Sequence, residues 1–126
     1  MSLRSPLGRV KGLGAAREGV GHWWAQRLTA LALVPLTVWL VASLIALAGA
    51  DYEVMRAWLG APVPAGLLIL FLVAGLHHGQ LGLQVVIEDY VHNEGVKIAS
   101  LLAVKALAIV LGLFGVLAVL SILFSS

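Results

Sequence analysis

Cysteine does not occur in this 126-residue chain. That excludes disulfides and thiolate metal sites, and it leaves the redox compartment unmarked. Charge is scarce as well: 11% of the residues are Asp, Glu, Lys or Arg, against 61% hydrophobic. A soluble domain of this size needs a far more polar surface, which excludes the ordinary globular classes. The few charges cluster and leave long stretches empty, and internal repeats are not evident.

What is present reads as membrane. From Leu28 to Ala50 no charged residue occurs, and a spanning helix takes about 20 apolar residues. Two further runs follow, giving expected spans at about 28–50, 64–88 and 97–124. Pro35 lies inside the first, where neighbouring helices and water can satisfy the freed carbonyl and a mild kink is expected. Paired Trp23 and Trp24 mark a membrane–water interface. Residues 51–64 form the first loop, ended by Pro62 and Pro64, which suit a helix start. Asn93 and Gly95 mark the turn of a short second loop. The fold class is therefore all-α, an integral membrane protein of three transmembrane helices. Residues 1–21 read as a cytoplasmic tail and 22–126 as the transmembrane domain.

Basic residues set the orientation. Arg4, Arg9, Lys11, Arg17 and Arg27 precede or open the first span, and Lys97 shares their side; Arg56 stands alone on the other. The positive-inside rule puts the N-terminus in the cytoplasm. A nucleic-acid arm is the weaker reading of the basic segment, because it runs straight into a hydrophobic span. Ala46-Leu47-Ala48 matches a signal cleavage pattern, but the apolar run before it is too long for a signal core.

The second span carries the chemistry. Leu76-His77-His78-Gly79-Gln80-Leu81-Gly82-Leu83-Gln84 is polar and glycine-rich at membrane depth, and polar residues there usually face a protein interior, a cofactor or a cavity. His78 precedes Asp89 by eleven residues, about 16 Å of helix, which sets it near mid-bilayer. Gly75 and Gly82 share its face at i−3 and i+4. They would leave a flat clearing in which a planar macrocycle reaches the imidazole; close helix packing around a hydrogen-bonded His78 satisfies the same pattern. His77 points about 100° away. Glu88, Asp89, Tyr90 and His92 gather at the cytoplasmic end, as a quinone-binding cluster or as an ordinary helix end in the aromatic belt. Arg27 is expected level with that cluster, where it would pair with a propionate or snorkel to lipid phosphate. His22 is a candidate for the same polar site. Lys105, two turns into the third span, is expected to snorkel, and Gly112 and Gly115 suggest a close packing contact.

These residues resemble the hydrophobic membrane anchor subunits (D chains) of succinate dehydrogenase. The likeness runs through Trp23-Trp24-Ala25-Gln26-Arg27-Leu28-Thr29-Ala30, then His78 with Gly82, then Val85-Val86-Ile87-Glu88-Asp89-Tyr90-Val91-His92. It covers most of residues 22–124, and the His-to-Asp-Tyr spacing is its specific part. The resemblance implies a partner three-helix cytochrome b chain sharing one haem b, with His78 as one axial ligand and metal-binding residue. It implies Tyr90 with Asp89 at ubiquinone and Arg27 near the haem propionates. Flavoprotein and iron–sulfur subunits would dock on the cytoplasmic face of a bacterial inner membrane. The chain alone would catalyse nothing. A fumarate reductase anchor using menaquinone, and a non-redox scaffold or transport subunit, are the alternatives.

Overall fold

The computed structural model describes the backbone of residues 15–125 and side chains from residue 19. Most of the basic tail, with Arg4, Arg9 and Lys11, and the side chain of Arg17 lie outside the described residues. Within them the chain is entirely helical: α1 (Ala15–Ala46), α2 (Tyr52–Leu59), α3 (Pro62–Tyr90) and α4 (Glu94–Phe124). α1, α3 and α4 are long and apolar enough to cross a membrane.

Local chemistry explains the ends. α1 runs through Pro35 without a break and starts at Ala15, well before the apolar run that opens at Leu28. Gly49, with φ of 82°, ends its last turns in the left-handed region that glycine enters at little cost. The loop that follows is itself partly helical. The Asp51 carboxylate caps α2 by accepting from the Val54 N–H at 3.0 Å, a standard helix start. α3 opens on Pro62, whose missing N–H costs nothing in the first turn. Asn93 starts α4 by accepting from the Val96 N–H at 3.0 Å.

α2 is too short to cross and lies against the far ends of the long helices. Trp58 stacks on Trp39 of α1, with ring centroids 5.8 Å apart. The Arg56 guanidinium donates to Ser125 Oγ at 2.8 Å, tying α2 to the end of α4.

The three long helices do not form a closed bundle. α3 packs on α1 along one side and on α4 along another, and the backbones of α1 and α4 stay more than 8 Å apart, Cα to Cα. On the α4 side, Gly115 and Gly112 receive Leu72 and Leu76 of α3, the close approach expected of those glycines. Among the described residues only Ala65 and Leu81 are buried. More than half of the large apolar side chains of the spans are exposed and almost all the rest are half-buried, as lipid-facing and partner-facing surfaces must be.

Candidate functional site at the centre of α3

His78 lies sixteen residues after Pro62 and twelve before Tyr90, so it sits roughly 24 Å and 18 Å from the two ends of α3. It faces α1. Its Nδ1 is 3.0 Å from Thr29 Oγ1, and that hydroxyl also lies 2.8 Å from the carbonyl oxygen of Ala25 and 3.1 Å from that of Gln26. Nε2 has no hydrogen-bond partner among the described residues. The imidazole lines an open groove of about 450 Å³ with Ala30, Leu33, Val34, Thr37 and Val38. One nitrogen is thus held by the chain and the other has no partner among the described residues.

The glycines divide differently from the sequence expectation. Gly75 and Gly82 do not stand clear beside the imidazole: a Cβ on Gly75 would meet Leu33 at 3.8 Å, and one on Gly82 would meet Gln26 at 3.8 Å. They let α1 approach. Their i−3 and i+4 spacing from His78 reports the α1 seam, as the packing reading holds. The clear position is Gly79, which has nothing within 4 Å. Gly79 borders a second groove, about 180 Å³, with Gly75, Leu83, Val104, Leu107 and Leu111. Gly75 of this second groove faces Leu33 of the first, which a Cβ on Gly75 would meet at 3.8 Å.

His77 belongs elsewhere. It is exposed and lines a groove of about 320 Å³ with Gln80, Lys105 and Gly112. On the same helix Gln80 donates to Gln84 at 3.3 Å, and Gln84 donates to Glu88 at 3.1 Å. Such i,i+4 amide pairs satisfy polar side chains along one stripe. The two neighbouring histidines therefore serve different surfaces.

At the cytoplasmic end Tyr90 is 77% exposed, and Asp89, Glu88 and His92 are exposed beside it. Arg27 is not level with them. The pairs Thr29–His78 and Gln26–Gly82 set the register, which places the Arg27 backbone near Leu81, about 12 Å below Asp89. Its guanidinium reaches back over the Trp23 ring, 5.2 Å from the centroid, a cation–π contact. Trp23 itself packs edge-on against Trp24. The same register puts His22 near Val86, one turn from Asp89. His22 Nε2 and Gln26 Oε1 are buried without partners, so the α1–α3 seam carries unsatisfied polar atoms from the Asp89 end down toward Thr29. Sequence reading passed over Thr29 and Gln26 as functional residues. Their only signal was polarity at i, i+3 spacing on the face that also holds His22.

No group of three or more His, Asp or Glu side chains converges among the described residues.

The chain matches the family model described as "succinate dehydrogenase/fumarate reductase transmembrane subunit" over residues 1–123. It is similar to proteins named succinate dehydrogenase hydrophobic membrane anchor subunit. One from Rickettsia bellii is 33% identical over 107 residues, covering 85% of this chain and 86% of the relative. One from Paracoccus denitrificans is 33% identical over 104 residues, covering 82% and 81%. A succinate dehydrogenase membrane anchor subunit from Reclinomonas americana is 32% identical over 97 residues, covering 74% and 80%.

Proposed function

This chain belongs to the family of succinate dehydrogenase and fumarate reductase transmembrane subunits, as a multi-pass membrane anchor of the bacterial inner membrane, and on that premise we propose that it supplies one axial haem b ligand, His78, and part of a ubiquinone site. The observation that carries this reading is the state of the imidazole: half-buried at mid-span, held through Nδ1, with Nε2 unpartnered beside an open groove. A neutral imidazole with one nitrogen anchored is how proteins present the other to iron.

The surroundings fit a macrocycle: the walls of the groove that His78 lines are apolar except for Thr37 and His78 itself. The open angle between α1 and α4 leaves space for a partner's helices to close over it, and a second axial ligand would come from that partner. When bound, haem supplies one-electron storage close to the quinone. The chain's own contribution is to orient His78, keep lipid and water from the groove, and tune the iron through the ligand.

Tyr90 and Asp89 stand exposed at the cytoplasmic end of α3, a phenol donor beside a carboxylate, and are assigned to hydrogen bond a quinone carbonyl and move protons to it. Arg27 faces the cytoplasm from deeper in the membrane, where a guanidinium suits a haem propionate. His22 is placed to join the same polar region through its unpartnered Nε2. The partners are a cytochrome b membrane subunit, an iron–sulfur subunit and a flavoprotein subunit, with succinate oxidised on the cytoplasmic side. A fumarate reductase using menaquinone would draw on the same residues.

The test is spectroscopic. In the purified complex, His78→Ala abolishes the low-spin b-type spectrum, while His77→Ala leaves it unchanged. An unaltered spectrum in the His78 variant refutes the ligand assignment.

A further inference from the structure

We propose that Thr29 is a positioning residue that holds His78 as the Nδ1–H tautomer and so keeps the Nε2 lone pair turned to the groove. The inference rests on the reading of His78 as a haem ligand and adds a residue to it.

The argument is an inventory of one proton. The Thr29 hydroxyl lies within hydrogen-bond distance of three atoms: the Ala25 carbonyl oxygen at 2.8 Å, the Gln26 carbonyl oxygen at 3.1 Å and His78 Nδ1 at 3.0 Å. A hydroxyl donates once and accepts twice. Backbone carbonyls only accept. If the hydroxyl donated to Nδ1, its oxygen would be pressed against two acceptor oxygens with nothing between them. Nε2 would then carry the ring proton and project a donor into a groove whose other walls are apolar apart from Thr37, a costly state at membrane depth. If instead the hydroxyl donates to Ala25, the usual back-bond of threonine in a helix, its lone pairs are free for an N–H from His78. Every polar atom of the pair except Nε2 is then satisfied, and Nε2 is left as a bare acceptor. Only this arrangement suits a ligand nitrogen.

The packing serves the same end. Gly75 and Gly82 bracket His78 and admit α1 closely, with Leu33 and Gln26 seated over them. Thr29, between those two residues on α1, is thereby brought to the imidazole. The Thr29 rotamer is held by its own back-bond on a continuous helix, so the acceptor does not wander. An Nδ1–H bond to an electron-rich oxygen raises the basicity of the ligating nitrogen, which favours ferric over ferrous iron.

The experiment uses the full complex with Thr29→Val, which keeps the shape and removes the acceptor, and Thr29→Ser, which keeps the hydroxyl. Two quantities are read: the haem midpoint potential, and the nitrogen-15 resonances of labelled histidine in complex produced with haem synthesis blocked. The valine variant is expected to move the oxidised/reduced equilibrium about tenfold toward ferrous haem, ~59 mV upward for a one-electron couple. The serine variant is expected to stay near wild type. In haem-free wild type, His78 should show Nδ1 protonated and Nε2 bare, with that preference lost in the valine variant. An Nε2–H tautomer in the wild type, or a valine variant with unchanged potential and unchanged resonances, overturns the proposal. If His78→Ala kept its haem spectrum, the ligand reading would fail, while the histidine resonances would still decide the role of Thr29.

Discussion

Gly79→Leu separates what this chain needs for itself from what its partner needs. Gly79 has no atom within 4 Å, and in a helix leucine is favoured over glycine by roughly 0.8 kcal/mol. A Cβ at this position meets no neighbour in the chain, and the groove beside it offers the rest of the side chain room. Outside the chain the situation reverses. Four added carbons enter a groove of about 180 Å³, where the proposed partner's helix would pack. Overpacking of a fitted interface costs about 1–3 kcal/mol, or roughly 5- to 150-fold in an association constant at 1.4 kcal/mol per factor of ten. Gly115→Leu is the opposite case. Its Cβ would collide with Leu72 in the α3–α4 seam, so the chain's own packing gives way first. Both variants are expressed with the other subunits, and three quantities are measured: membrane level of this chain, co-purified partner, and haem per complex. The expected outcome for Gly79→Leu is a normal chain level with depleted partner and haem; for Gly115→Leu the chain level itself falls. Full assembly of the Gly79 variant would refute the placement of the partner in the angle between α1 and α4.

Two further outcomes follow from the ends of the helices. Tyr90→Phe removes one exposed hydroxyl and no packing, so quinone reduction should fall at least tenfold while subunit composition and haem content hold; unchanged quinone turnover would remove Tyr90 from the site. Asn93→Ala deletes the acceptor for the Val96 N–H, a cap worth about 1 kcal/mol. Amide exchange at Val96 should quicken about fivefold with quinone turnover unaffected, and unchanged exchange would mean that solvent replaces the cap fully.

The three crossings were legible because an uncharged run of spanning length has one physical solution in lipid. The α2 helix was not, being only eight residues with two charges among them, Glu53 and Arg56. Its signature was present in Asp51 three residues before Val54, a capping arrangement hidden by reading 51–64 as one loop. The early start of α1 was hidden because an Ala-Ala-Arg-Glu stretch has helix formers but no apolar face. At the site, helix periodicity correctly set Gly75 and Gly82 beside His78. It did not say which neighbour used that face. A face shared by His and Gly is equally good for a macrocycle and for a second helix, and the choice is made by α1, which sequence pattern alone does not dock. The depth of Arg27 was misjudged for the same reason: register between helices comes from side chains meeting, here Thr29 with His78.

A protein that, among its described residues, encloses only Ala65 and Leu81 has almost no inside of its own. Its surroundings take over the office of a core. Tolerance to substitution in such a chain should run inside out: positions facing acyl chains accept nearly any greasy residue, and exposed positions facing sibling subunits accept very few. A map of permitted replacements would therefore trace the silhouettes of the neighbours rather than the contour of this polypeptide.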